Sequence, residues 1–282
     1  MGFSFTQQFL TATRYAVLGQ TRNRLAIGLL IAFVPIWYYI MGAMTPDAPV
    51  EFKFRATQAI MQVNGHDLSL LTAGISAITL IVGFMFFTST RKDTQFDRRL
   101  VLSGYSQPLL ILGKLTGLVV VTALVSLYTS IVLYAFWRPE AFPLVWLGFW
   151  CAALIYGAFG LLLGVLVKSE LAGFFLIIMV SMMDTFLQNP VDNPVANQEF
   201  LKFFPSYAPT QVYVAGGFTH LVPDRNVLIS LAWVVGFALL GLAVFWWRTH
   251  AWNVRAEPLT RPMSRELPLL VAQPDMEIMS KN

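Results

Sequence analysis

Asp184 is the one acid well inside an apolar run of this 282-residue chain, in the stretch LAGFFLIIMVSMMDTFLQ. A carboxylate surrounded by hydrocarbon is costly and commonly functional, which makes Asp184 a candidate for holding a cationic or polar group of a substrate. Met179, Met182, Met183 and Phe186 bring adaptable apolar surface to its neighbourhood, and the five residues form a candidate path for a lipophilic ligand. The competing reading is a carboxylate that reaches to the outer membrane face. Asp184 lies roughly 14 residues, or about 21 Å, beyond Glu170, and Gln188 follows one turn later.

Other chemistry-bearing residues do not converge. His66, His220 and His250 are far apart in the chain and lack the spacing that lets two imidazoles meet one metal on a helix face, so no metal site is expected. Cys151 is the single cysteine and has no partner for a disulfide within the chain; it is expected to be a packing residue. No catalytic residue is assigned.

Charge concentrates instead in residues 91 to 114, RKDTQFDRRLVLSGYSQPLLILGK, between two strongly apolar runs. Residues 90 to 103 are compatible with a helix that carries Phe96, Leu100 and Ser103 along one stripe, with Asp93, Asp97, Arg98 and Arg99 on neighbouring faces. Gly104 ends it. Ser106 can cap a new helix with Pro108 in the first turn, where the missing N–H is harmless. A short charged helix joined through a tight break to an apolar one is a lever, because a packed helix moves as a body. The plainer reading is a solvated, positively charged loop.

The elements that must position these residues follow from composition. The chain is 56% hydrophobic and 12% charged, with a mean hydropathy of +0.63, so it is an integral membrane protein. Six runs are long enough to cross a hydrocarbon core: 25 to 44, 68 to 88, 110 to 136, 144 to 167, 171 to 188 and 227 to 247. The first run follows Arg22 and Arg24 and is too long for a signal h-region, so it is expected to stay as a span. The fold class is therefore an all-α integral membrane protein with a single transmembrane domain, 1 to 248, and a Pro-containing flexible tail, 249 to 282. Cationic residues set its orientation. The two termini and the connectors at 91–114 and Lys168 hold most of the 19 Lys and Arg residues. The opposite side holds only Lys53, Arg55, Arg138, Lys202 and Arg225, which puts both termini in the cytoplasm. The pI near 9.3 reflects this topology rather than nucleic-acid binding, for which a clustered basic face is missing.

Before the first span, residues 3 to 24 project into an apolar arc (Phe5, Phe9, Leu10, Ala12, Ala16, Val17) and a polar arc (Gln7, Gln8, Thr11, Arg14, Arg22), the pattern of an amphipathic helix lying along the inner leaflet. Tyr15 and Leu18 break the pattern. Pro35 should kink the first span. Residues 45 to 67 read as a polar outside loop, and 189 to 226 as a second outside connection in which prolines alternate with aromatic clusters, suited to short re-entrant or interfacial helices. Gly157, Gly160 and Gly164 open a face of the fourth span to close helix approach, either within the chain or at a dimer contact.

The connector resembles that of the membrane subunits of type-2 ATP-binding-cassette (ABC) exporters. Arg91, Lys92 and Asp93, then Arg98, Arg99, Leu100 and Leu102, then Gly104 and Ser106, then Leu112, Gly113 and Lys114 follow that family's order of charged run, leucine-rich stretch, turn and closing Gly-Lys. Arg91 and Gln95-Phe96 stand where the family often has Glu and a Gly-Thr pair. The stretch FFPSYAPTQVYVAGGF, 203 to 218, is similar to the family's re-entrant region. The resemblance implies that Arg91, Lys92, Asp93, Phe96, Asp97, Arg98, Arg99 and Leu100 couple to an ATPase, with Gly104, Ser106, Pro108, Gly113 and Lys114 as the hinge of the lever. It also implies two nucleotide-binding subunits that carry ATP and Mg, a second membrane subunit of the same or a homologous kind, and residence in the cell membrane. A phosphate-cradling Gly-x4-Gly-Lys-Ser/Thr loop is absent from the sequence, so no cofactor is expected on this chain. The function implied is export of a hydrophobic or amphiphilic substrate, drug, lipid or peptide. An ion-gradient-driven carrier and a membrane-embedded transferase are the alternatives.

Overall fold

Hydrocarbon offers no partner to a backbone N–H or C=O, so apolar runs of this length satisfy their backbone internally as helices. The structure, a computed structural model, describes residues 5–102, 105, 107–191, 193 and 198–253. Helix α1 covers Phe5–Thr21, α2 Arg24–Met44, α3 Gly65–Leu102, α4 Gln107–Phe136, α5 Phe142–Leu166, α6 Glu170–Gln188, α7 Tyr207–Phe218 and α8 Asp224–Asn253. All but α1 and α7 are long and apolar enough to cross a membrane, over Ala26–Met44, Gly65–Asp93, Pro108–Phe136, Phe142–Leu166, Glu170–Gln188 and Asp224–Val244. These match the expected six spans, with one extension: α3 continues without interruption from the second span into the charged segment. Pro35 lies inside α2 without ending it. α8 runs to Asn253, five residues into the expected tail; residues 254 to 282 lie outside the described residues.

Helices α3 and α5 form the centre, and their packing against each other is the most extensive in the chain. Glycine makes that approach possible. A Cβ on Gly160 would stand 2.4 Å from the Gly83 carbonyl oxygen, and one on Gly164 2.7 Å from Thr90 Cβ. The Gly160-Gly164 step is thus occupied by α3 of the same chain. Buried hydroxyls on the spans are satisfied locally: Thr72, Thr122, Thr129 and Ser130 each donate to the carbonyl four residues back. α2, α6 and α8 are peripheral and turn large apolar side chains such as Ile31, Phe175 and Leu239 outward.

Between α2 and α3, residues 45 to 67 hold an antiparallel hairpin, β1 (Pro49–Phe54) and β2 (Ala59–Asn64), paired from Pro49↔Asn64 to Phe54↔Ala59. An unstructured loop was the expectation here. The alternation in PVEFKF explains the difference, because it buries Phe52 and Phe54 on one face while Glu51 and Lys53 stay exposed. Gln58, at φ 60°, supplies the left-handed residue of the turn.

The connection from α6 to α8 enters the bundle. A short 3-10 helix, Glu199–Phe203, leads into α7, which is buried from Tyr207 through Gly217. α7 lies along α5 with almost no gap: a Cβ on Gly148 would meet the Tyr213 backbone nitrogen at 2.6 Å, and one on Gly216 the Val145 nitrogen at 2.5 Å.

Replacing Gly160 by Leu must push α3 and α5 apart, costing about 1–3 kcal/mol by overpacking. Gly236 on α8 has nothing within 4 Å of a built Cβ. Thermal unfolding in detergent should therefore drop for Gly160→Leu and stay at the wild-type value for Gly236→Leu.

Candidate functional site

Two constellations stand at opposite ends of the bundle. At the end that carries the hairpin, Asp184 near the close of α6 is 1% exposed. Tyr156 on α5 donates to its carboxylate at 2.6 Å, and the Ser206 backbone N–H donates at 2.9 Å. The Ser206 hydroxyl donates to the other carboxylate oxygen. Ser206 is the residue at which α7 begins, so the carboxylate receives one of the four N–H groups that a helix start leaves unpaired, at the positive end of the helix dipole. Four residues on, the Gln188 amide donates to the Leu201 carbonyl at 3.1 Å. At the far end of α7, the Ala141 and Glu140 N–H groups donate to the Gly216 and Gly217 carbonyls at 2.8 and 3.3 Å, and Thr219 donates to Ala215. Both ends of an internal helix are thereby closed by neighbouring segments.

The expected grouping of Asp184 with the methionines does not form. At about 100° per residue, Met179, Met182 and Phe186 fall on the side of α6 opposite Asp184, and Met183 about a quarter turn away. All four are exposed on the periphery, by 49 to 59%, while Asp184 points into the protein. Reaching outward to the membrane face is also not what Asp184 does: its oxygens are taken up by Tyr156 and Ser206.

At the other end, the foot of α3 is tied to three neighbours. The Arg91 guanidinium donates to the Val167 carbonyl, just past α5, at 3.3 Å and lies 5.6 Å from the Phe87 ring centroid. Lys114 on α4 pairs with Asp93 at 3.8 Å, and Asp93 also accepts from Ser89. Tyr105, between α3 and α4, donates to the Gln8 carbonyl of α1 at 2.6 Å, and its N–H donates to the Leu100 carbonyl at 3.0 Å. Lys92 and Arg99 are exposed, and Leu100 is half-buried. The backbone at Phe96, Asp97 and Arg98 is helical, but their side chains lie outside the described residues, as do Gly104 and Ser106. Pro108 is the second residue of α4, and Gly113 and Lys114 lie within that continuous helix, past the expected break.

Gly113 also lies against α1. A Cβ there would meet Ala12 Cβ at 2.6 Å, and one on Gly117 would meet Ala16 Cβ at 2.8 Å. α1 therefore packs on α4 through small residues facing small residues, using Ala12 and Ala16 from the expected apolar arc. Leu10, Tyr15 and Leu18 are left on the exposed side, which accounts for the two residues that broke the pattern and takes Leu10 out of the expected apolar arc.

A protein-family model described as ABC-2 family transporter protein matches residues 48–247. The chain belongs to that family, and so is a membrane permease component of an ABC transporter, a class whose members associate with an ATP-binding subunit. A comparison with curated proteins returned no match. Tyr156, Ser206, Val167, Tyr105 and Gln8 escaped the sequence reading because each acts across 22 to 97 positions of chain from its partner.

Removing the Asp184 carboxylate leaves buried donors unpaired at about 1–3 kcal/mol each. Asp184→Leu should lose several kcal/mol of stability, Asp184→Asn less, and Tyr156→Phe about 1 kcal/mol. In a double-mutant cycle Asp184→Leu with Ser206→Ala should cost less than the sum of the two, read from detergent unfolding.

Proposed function

We propose that the chain is the permease half of an ATP-driven exporter, and that the foot of α3 receives the stroke of the ATPase. The supporting observation is the three-way tie at that foot: Arg91 to the end of α5, Asp93 to α4 and Tyr105 to α1. A push delivered there reaches four helices at once, whereas a solvated loop needs no such bracing. Lys92 and Arg99 remain exposed beside the tie and offer a cationic surface to a partner. The distribution of Lys and Arg supports a cytoplasmic location for this foot and for both termini, in the plasma or inner membrane.

In this reading ATP and Mg act on two partner subunits, and the substrate crosses between two membrane subunits of the same or a homologous kind. An apolar or amphiphilic cargo, a drug, lipid or peptide, suits the exposed Met179, Met182, Met183 and Phe186 surface. Asp184 serves the internal helix α7, with its oxygens committed to Tyr156 and Ser206, which leaves no free intramembrane acid in α6 for ion coupling. That weighs against the gradient-driven carrier. In the same reading, ATPase closure beneath the lever opens the path outward.

Lys92→Glu with Arg99→Glu should leave unfolding unchanged and cut affinity for the ATPase by about tenfold or more, measured by pull-down after mild detergent extraction. Unchanged retention of the ATPase would rule out the foot of α3 as the docking point. Gradient-dependent transport by vesicles lacking any ATPase would overturn the exporter reading itself.

A further inference from the structure

A small cleft under the hairpin is lined by Lys53 and Arg55 of the hairpin, Thr72 of α3, Gln188 at the end of α6, and Tyr207 and Gln211 of α7. It encloses about 20 Å³ and is partly open to solvent. Two of its side chains are nine-tenths buried with a polar atom unused: Nη1 of Arg55 and Oε1 of Gln211 have no hydrogen-bond partner among the described residues. The rest of the Arg55 guanidinium is held in place. Nη2 donates to the Gln198 carbonyl at 2.7 Å, and the group stands 5.6 Å from the Tyr207 ring centroid. The nearby acid Glu199 is paired with Lys202 at the surface, with its pKa lowered first by that hydrogen bond. None of the lining residues is acidic, and Arg55 makes no ion pair among the described residues.

A fixed guanidinium with a free N–H and a free amide oxygen in one cleft offer a donor and an acceptor, and the lining carries two cations, Lys53 and Arg55. A burial of this kind is costly when left unmet, and a planar cation matches phosphate oxygens in particular. The height of the cleft narrows the choice further. Gln188 is the last residue of one span, and Thr72 lies in the second turn of another, so the cleft opens at the level of lipid headgroups.

We propose that this cleft binds a phosphate group that carries a neighbouring hydroxyl, the phosphate accepting from Arg55 Nη1 and the hydroxyl donating to Gln211 Oε1. The headgroup of phosphatidylglycerol has this chemistry, and so does protonated inorganic phosphate. The site is independent of the transport reading, since it involves neither the foot of α3 nor the direction of movement.

The test is thermal unfolding of the full chain in nanodiscs of phosphatidylcholine alone, or of equal parts phosphatidylcholine and phosphatidylglycerol, and in phosphatidylcholine with added inorganic phosphate. Phosphatidylglycerol should raise the unfolding temperature and remain bound in native mass spectrometry. Arg55→Gln should weaken that binding about tenfold. Gln211→Leu leaves the Arg55 to Gln198 bond in place and should weaken it several-fold, so the test survives if Arg55→Gln does not fold. A rise with inorganic phosphate alone, lost in the same variants, supports the site with a free anion as its ligand. Equal behaviour in both lipids without a phosphate effect, or binding unchanged in folded Gln211→Leu and Arg55→Gln, means a bridging water only and overturns the proposal.

Discussion

A helix that begins buried in protein leaves N–H groups that water does not reach, and α7, starting at the fully buried Ser206, is such a helix. Its burial between α5 and α8 is possible only because something fixed supplies acceptors at its start. Asp184 does this from α6, and Tyr156 from α5 holds the carboxylate in place. The cost of burying this carboxylate is offset by three donors and the positive end of the α7 dipole, so the acid that stands out in the sequence closes the start of an internal helix. The far end of α7 is closed in the same way by Glu140 and Ala141, and Gly148 and Gly216 let the two backbones approach.

Around this internal helix the bundle divides into a packed centre and an outer layer. α3 and α5 touch backbone to backbone at Gly83 and Gly160, so neither can slide or rotate far without displacing the other. α2, α6 and α8 have no such grip on both sides and expose apolar side chains. The charged foot of α3 is rigid for a related reason: it is the same helix as the second span, and Arg91, Asp93 and Tyr105 bind it to its neighbours.

The spans were legible in the sequence because hydropathy over about 20 residues is a local property that neighbours do not alter. Small residues at Gly160 and Gly164 signalled close approach, but not which helix approaches; only the position of Gly83 decides that. For α1 the apolar arc was readable and its partner was not, since Gly113 was taken with the connector's closing Gly-Lys and Gly117 carried no signal of its own. Six residues of strict alternation at Val50, Phe52 and Phe54 carried the hairpin, yet the prolines and polar neighbours of that segment masked it. Ser206 followed by Pro209 is a helix-start signal of the kind that could have placed α7. The role of Asp184 was not available from its surroundings in sequence, because both of its partners arrive from other parts of the chain.

The length of α3 has a mechanical consequence. Its 38 residues make a rod of about 57 Å at 1.5 Å per residue, and Gly83, where α5 grips it most tightly, is almost at its middle. Because α5 also meets α3 at Gly74 and Thr90 and its end is tied to Arg91, the rod tilts only together with α5; a tilt of about 10° carries each tip about 5 Å, in opposite senses. Gly65, at the other tip, follows directly on strand β2. A displacement of α3 as one body would therefore reach the β-ribbon at the opposite end of the bundle.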